Sequence, residues 1–400
     1  MSRYLGASPG VVVAVDLPPG PAWLDVVDHL RDLGAAVLPL DRRLSDLERR
    51  AIVDLARPAS LLSEDDEVLF ADPAPIDLDV GLVMATSGTG GRPKLVELSR
   101  AAISSAVGLS FGALGPAVGR VALEPSDPWV CCLTPAHIGG MLVLLRGLLL
   151  GSPLTVLEGF DVQELLERAP DGAHVALVPT MARRLADAGA DLSHLGVLLV
   201  GGGPLDPNVA RDAAAHGGRV VATYGLTETC GGIVYDGRLF EDTAVRLGPQ
   251  DEVEVRGPTV MNGYRHDPAA TADAFTLDGW LRTGDVGELD EDASLVVRGR
   301  LDEAIRTGAE TVWPEEVEAA LRDHPKVADV AVAGRPDPKW GERVVAFVVS
   351  VKADDPPALE ELRDHAADRI ARFKAPRTLV LVPSLPRGAS GKLRRGSLPD

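Results

Sequence analysis

"VGLVMATSGTGGRPK", residues 80–94, joins a short apolar run to a loop of hydroxyls and glycines that ends in a lysine. Val80 to Met84, bounded by this polar, Gly-rich cluster, has the pattern of a buried strand ending in a loop. Glycines let a backbone come close to an anion and turn several N–H groups toward it. Thr86, Ser87 and Thr89 add hydroxyls around Gly88, and Lys94 adds a positive charge, so the stretch reads as a phosphate cradle. It is not the Walker loop, whose lysine is followed by Ser or Thr at the mouth of a helix. Here Lys94 follows Pro93 and precedes Leu95. Read alone, the loop is equally compatible with a Gly- and Thr-rich surface segment.

Outward from this point, strands and helices alternate. "VVVAVD" is followed by "PAWLDVVDHLRDLG", with apolar residues at helical spacing and Gly34 as a cap, and then by "AAVLPL". Similar alternation recurs at "AHVALVPT", "MARRLADAG" and "LGVLLVGGGPL". This predicts an α/β domain with a largely parallel sheet, whose ligands sit at the carboxyl ends of strands. After about residue 240 the texture becomes β-rich, at "DEVEVRGPTVMNGY" and "VGELDEDASLVVRGR". After Arg300 it returns to α+β, with helices expected at "PEEVEAALRDHP" and from about Pro357 to Arg372. The expected division is residues 1–300 and 301–400.

Composition limits the partners. The 400 residues suggest two or three domains, and 46% hydrophobic content is enough for sizeable cores. With 40 basic and 59 acidic residues the net charge is −19, which disfavours nucleic acid and anionic membranes. An acidic chain that binds phosphates must gather its basic groups locally. Three cysteines, two of them adjacent (Cys131, Cys132), make neither a disulfide framework nor a zinc pattern, which fits a reduced cytoplasmic setting. The N-terminus lacks the apolar run of a signal peptide, and "MLVLLRGLLLGSPLTVL" is interrupted by Arg146, Gly147, Gly151 and Pro153. A soluble protein without a membrane partner is expected.

Three further stretches carry chemistry. In "VVATYGLTETCGG" a strand opens into a polar turn, where Tyr224 can stack on a flat ring and Thr227 can donate to a phosphate. Glu228 offers the oxygen ligand that Mg²⁺ prefers. In "GWLRTGDVGELDED" Asp285 is expected in a tight turn after Gly284, where its carboxylate can accept ribose hydroxyls. Arg300 ends "LVVRGR", as a surface charge or a ribose or phosphate contact. Near the C-terminus, "PRGASGKLRRGSL" places Lys392 in a Gly/Ser loop.

The ordered set resembles the adenylate-forming superfamily of acyl-CoA synthetases, adenylation domains and luciferases over nearly the whole chain. Its phosphate loop matches 86–94, its Tyr-Gly-x-Thr-Glu matches Tyr224, Gly225 and on to Glu228, and its Thr-Gly-Asp matches Thr283 to Asp285. Its Gly-Arg-x-Asp signature matches Gly299 to Asp302, and its Ser-Gly-Lys matches Ser390 to Lys392. The resemblance implies a large N-terminal domain and a small mobile C-terminal one. A carboxylate attacks the α-phosphate of ATP, giving an acyl-adenylate and pyrophosphate, and a thiol, usually coenzyme A, then displaces AMP. By the same carry-over, the opening loop holds the β- and γ-phosphates, Thr227 touches the α-phosphate, and Glu228 binds Mg²⁺. Asp285 and Arg300 hold the ribose, and Tyr224 lines the adenine pocket. Lys392 neutralises charge on the transferring phosphate, and Asp302 is the hinge.

The short N-terminal part and the stretches "LTPAHIGGMLVLLRGLLLG" and "LLVGGGPLDP" are most similar to the compact o-succinylbenzoate–CoA ligase branch, which serves menaquinone synthesis. That branch implies an acyl pocket with His137, Arg146 and Gly202, Arg146 attracting the succinyl carboxylate. The alternatives for Arg146 are a side chain reaching the surface or one paired with an internal acid. Departures from the family are Gly90 and Leu95 in the phosphate loop, Ala136 before His137, and Ala309 after Gly308 in the pantetheine channel. Three other readings stay open: another aryl or short acyl-CoA ligase, an enzyme loading a carrier protein, and a non-catalytic nucleotide binder. The family also suggests a homodimer.

Overall fold

Two seven-stranded sheets form the N-terminal part of the computed structural model, which describes residues 6–87, 93–308, 310–388 and 393–399. In the first sheet, Val12–Asp16 lies between Ala36–Pro39 and Ser60–Ser63, parallel to both, and Ala36–Pro39 also runs parallel to Val80–Ser87. The alternation of strand and helix produces this arrangement, since parallel neighbours need a crossover between them. Successive residues of "VVAVD" point to opposite faces, and both faces are covered. Val13 and Val15 join a core containing Trp23 and Leu30 of helix Pro21–Asp32. Val12 and Ala14 join one containing Ile52 and Val53 of helix Asp46–Ala56. That double burial is why the strand reads as an unbroken apolar run.

The second sheet has the same logic. Trp129–Cys131, His174–Leu177, Val197–Val200 and Arg219–Leu226 are mutually parallel neighbours, and Gly231–Tyr235 returns antiparallel to Arg219–Leu226. Val175, Leu177, Leu198 and Val200 face helices Pro179–Asp187 and Pro207–Ala215. Trp129, Cys131, Val197 and Leu199 face the large core that also takes Met141 to Leu145 of helix Ile138–Leu150. Helix Arg100–Leu114 and the turn that continues it to Val118 give 19 residues long and apolar enough to cross a membrane by length and composition alone. Here the helix buries Ile103, Ala106, Val107, Phe111 and Leu114 in that same core.

Two strand boundaries differ from expectation. Val80–Ser87 runs past Met84 and pairs antiparallel with Pro93–Ser99, setting Thr86 opposite Lys94 and Ser87 opposite Pro93. The strand that leads into the phosphate loop and the strand that follows it are thus antiparallel neighbours. Asp285 lies within strand Leu281–Leu289, paired with Arg300 of Leu295–Arg300, and not in a tight turn. Gly284 takes φ +70 inside the strand, a local kink that a sequence reader takes for a turn.

By internal contacts the chain forms two compact units, Met1–Val245 with Val255–Leu281, and Arg246–Glu254 with Arg282–Asp400. This division differs from one at 300/301. Strand Leu295–Arg300 packs so closely on the start of helix Pro314–Arg322 that a Cβ on Gly299 would lie 2.6 Å from Glu315. In the second unit, Glu310–Val312, Ile305–Thr307, Gly341–Ser350 and Val327–Asp337 form a sheet in that order, with Thr378–Leu381 parallel to Gly341–Ser350. Helices Pro314–Arg322 and Leu359–Ala367 cover one face. The second helix is shorter at both ends than the expected Pro357–Arg372. Leu385 and Leu398 cover the other face.

His174 gives the first unit a pH-sensitive point. It is 1% exposed, accepts a 2.8 Å hydrogen bond at Nδ1 from the Val197 amide, and stacks beside Trp129. Burial lowers its pKa to about 4, with Arg120 and Arg146 adding to the effect and Asp127 opposing it. The unfolded chain therefore takes up a proton between the ordinary histidine value and about 4 while the folded one does not. Stability is expected to fall by about 3 kcal/mol as pH drops through this window. Denaturant melts of wild type and His174→Gln from pH 7.5 to 4 check this; the variant's curve should lack that slope.

Candidate active site

The residues of the first unit expected to face phosphate are brought together by cross-strand pairing. Lys94, on the return strand of the hairpin, sets its ammonium 4.5 Å from the ring centre of Tyr264. Strand Gly263–Tyr264 pairs antiparallel with Pro93–Ser99, with Tyr264 opposite Val96. The Tyr264 hydroxyl donates to Glu228 Oε1 at 2.9 Å, and the Met261 amide donates to the Glu228 carbonyl at 2.8 Å. One phenol thus links the lysine of the phosphate hairpin to the candidate metal carboxylate. Sequence reasoning missed Tyr264; its only signal was the end of "VMNGY", and its role depends on a strand pairing that no local motif encodes.

Glu228 sits in a turn fixed from within. Strand Arg219–Leu226 opens into a 3₁₀ turn, Thr227–Thr229, and buried Thr229 accepts from the Leu226 amide and donates to the Gly231 carbonyl, both at 2.8 Å. A side chain on Gly225 would run into that same Gly231 carbonyl, which explains the glycine after Tyr224. Tyr224 and Gly225 flank a break in the pairing register, Tyr224 opposite Val234. Thr229, like Tyr264, is a supporting residue that the sequence reading did not single out.

In the second unit, Arg300 donates from one terminal nitrogen to Asp285 and to the Thr283 carbonyl, each at 3.0 Å, and from Nε to Asp302 at 3.4 Å. Although burial opposes it, the carboxylates of Asp285 and Asp302 hold this guanidinium above its usual pKa. Asp285 is 6% exposed, and its amide is held by the Thr283 hydroxyl at 3.0 Å. The ribose pair and the expected hinge residue are therefore joined through one arginine. Gly88, Thr89, Gly90, Ala309 and Lys392 lie outside the described residues, and of Ser87 the backbone alone is described. Gly308 takes φ +68 beside the Trp340 ring.

The acyl residues divide. His137 precedes helix Ile138–Leu150, half-exposed, with Nε2 2.9 Å from an Arg43 terminal nitrogen and 3.5 Å from Asp41. Arginine only donates, so Nε2 accepts and the ring is neutral with its proton on Nδ1. Burial, and secondarily Arg43, lower its pKa, while Asp41 opposes the shift. Gly202 is exposed beyond the carboxyl end of Val197–Val200 with φ +81. Arg146, by contrast, lies within that helix and is 1% exposed. Its guanidinium lies 4.1 Å from the Trp129 ring, donates to Ser110 Oγ at 3.2 Å and interacts electrostatically with buried Tyr235. It neither reaches the surface nor meets an internal acid. An aromatic face takes the place of a counter-ion.

Among the described residues, no group of three or more His, Cys, Asp or Glu is placed to hold a metal ion. Glu228 alone fits Mg²⁺, which typically takes one or two carboxylates together with substrate phosphates. Burial pushes the thiols of Cys131, Cys132 and Cys230 up to about 12, so none serves as a nucleophile.

The family model described as AMP-binding enzyme matches residues 63–259, and the AMP-binding enzyme C-terminal domain matches 316–392. A probable 2-succinylbenzoate–CoA ligase of Mycobacterium tuberculosis is 41% identical over 335 residues, 81% of this chain and 85% of that protein. The chain belongs to the AMP-binding enzymes, the adenylate-forming acid–thiol ligases. Among solved structures it is similar to o-succinylbenzoate CoA synthetase (MenE) from Bacillus subtilis in complex with the acyl-adenylate intermediate OSB-AMP. The identity is 27% and the TM-score 0.86, covering 98% of this chain and 89% of that one. The same enzyme in complex with ATP and magnesium ion matches at 26% identity and TM-score 0.85, covering 98% and 90%.

Substitutions at two positions test the site. Tyr264→Phe keeps the ring beneath Lys94 and removes the hydroxyl; calorimetry should show MgATP affinity lowered about tenfold. Unchanged affinity would remove the hydroxyl from the site. Arg146→Ala should lower stability by about 3 kcal/mol through a cavity beside Trp129, and Arg146→Met by much less. Stable folding of both variants, with only acid binding lost, would instead make Arg146 a ligand anchor.

Proposed function

We propose that the protein is an ATP-dependent acid–CoA ligase that converts o-succinylbenzoate to its coenzyme A thioester in menaquinone synthesis. The observation that carries the chemistry is the convergence of Lys94 and Glu228 on Tyr264, a cation and a carboxylate placed for a polyphosphate and its metal. The acid is supported by the relatives, named as ligases or synthetases of that acid.

In the first half-reaction a carboxylate oxygen of the acid forms a bond to the α-phosphorus of ATP. The bond from that phosphorus to the bridging oxygen breaks, and pyrophosphate leaves. Lys94 and the hairpin hydroxyls would hold the departing phosphates, and Thr227 the α-phosphate. Tyr224 would line the adenine site. Asp285 and Arg300 would hold the ribose. Glu228 would hold magnesium, which when bound neutralises charge on the phosphates. Lys392 would offset charge growing on the α-phosphate and bridging oxygen. In the second half-reaction the thiolate of coenzyme A forms a bond to the acyl carbon, and AMP leaves with the electrons of the broken acyl–oxygen bond. Gly308 and Ala309 would border the pantetheine.

We take residues 1–300 as the functional body with the ATP and acyl pockets, and 301–400 as the lid bearing Lys392, turning at Asp302. The acyl end would be bounded by His137 and Gly202. A soluble cytoplasmic enzyme, assembled as a homodimer, completes the reading.

The test is AMP release dependent on coenzyme A, with ATP, Mg²⁺ and a panel of aryl and short acids. Preference for o-succinylbenzoate by about a hundredfold in kcat/KM is expected. Preference for another acid overturns the substrate. Pyrophosphate release without thioester overturns coenzyme A as acceptor.

A further inference from the structure

The last described turn of the chain holds a buried charge cluster that the chemistry above does not use. Arg395, 12% exposed, donates from Nε to Glu303 at 3.0 Å. Its two terminal nitrogens reach Glu318 at 2.8 Å and Glu315 at 2.5 Å. Glu318 is 5% exposed and also accepts from the Val332 amide at 2.8 Å. One guanidinium thus pairs with three carboxylates from two elements, the 3₁₀ turn Leu301–Glu303 and helix Pro314–Arg322. Burial, with repulsion from Glu315, pushes the Glu318 carboxyl up to about 7 even though Arg395 and Arg322 draw it down. Without the arginine these carboxylates would face one another in low dielectric, so the cluster is stable only while the tail is docked.

The chain on either side of residues 389–392 is pinned as well. Arg387 and Leu393 form an antiparallel bridge, and the Arg394 amide donates to the Pro386 carbonyl at 2.9 Å. Arg387 is paired with Asp329 at 2.8 Å, and Leu398 is buried against the sheet. Arg395 follows Lys392 by three residues, and Glu303 follows Asp302 by one.

From this we infer that Arg395 is a positioning residue for adenylation: its clamp on Glu303, Glu315 and Glu318 ties the stem of the Lys392 segment to the chain just past Asp302. The inference rests on the role proposed for Lys392. A lysine substituted for Arg395 keeps the charge but reaches fewer carboxylates, and a glutamine at 303 removes the tie to the hinge side alone.

The experiment measures the two half-reactions separately in the full chain: pyrophosphate release from ATP and acid, and thioester formation from supplied acyl-adenylate and coenzyme A. Arg395→Lys and Glu303→Gln are expected to slow the first at least about tenfold while changing the second less than about twofold, with MgATP affinity and melting temperature near wild type. Unchanged rates in both half-reactions, or equal losses that track a lowered melting temperature, overturn the inference. Lys392→Ala separates the two claims. If it leaves adenylation intact, the role of Lys392 falls and the inference with it. If it silences adenylation while Glu303→Gln and Arg395→Lys do not slow it, the inference alone falls.

Discussion

The return of strand Val80–Ser87 into Pro93–Ser99 is the constraint on which the phosphate-facing geometry depends. Because the two strands pair through Thr86 and Lys94, the lysine leaves the loop on a fixed ladder rather than on a free tether. The same return strand pairs on its other edge with Gly263–Tyr264. That pairing brings Tyr264 beneath the ammonium and against Glu228, at the end of a different sheet. Three segments far apart in sequence meet because backbone hydrogen bonds, not side-chain affinities, set their register.

The electrostatics follow a consistent rule. In a chain of net charge −19, each described cation at the candidate site is held by a partner suited to its surroundings. Lys94 rests on a ring face; Arg300 is gripped by Asp285 and Asp302; Arg43 is paired with Asp41. Arg146, deepest of all, has an aromatic face and two neutral oxygens. An acidic protein can present positive charge to a polyphosphate only if its own carboxylates are placed to orient that charge as well as balance it.

How much of this was legible in the sequence depended on the range of the interaction. Strand and helix alternation was readable because parallel strands buried on both faces are apolar throughout their buried length, as "VVVAV" is. The ordered motifs identified the family correctly. What could not be read were decisions made across the fold. Asp285 looked like a turn residue because Gly284 is a turn signal, yet pairing with Arg300 keeps the strand extended. For Arg146 the sequence left open a ligand anion, the surface and an internal acid, because a neighbour such as Trp129 cannot be inferred from "MLVLLRGLLL". Tyr264 and Thr229 carry no motif; each matters through what it supports. Arg395 carries no signal of its own in "PRGASGKLRRGSL", and its three carboxylates lie on elements that approach it only in the folded unit.

The buried cysteines have a meaning specific to this chemistry. An acyl-adenylate is a reactive mixed anhydride, and it will acylate whichever thiolate reaches it first. The chain's three thiols are sealed in the core and kept protonated, with pKa values near 12. None of them competes with the incoming acceptor. A protein whose task is to pass an activated acyl group to sulfur thereby keeps its own thiols out of the transfer.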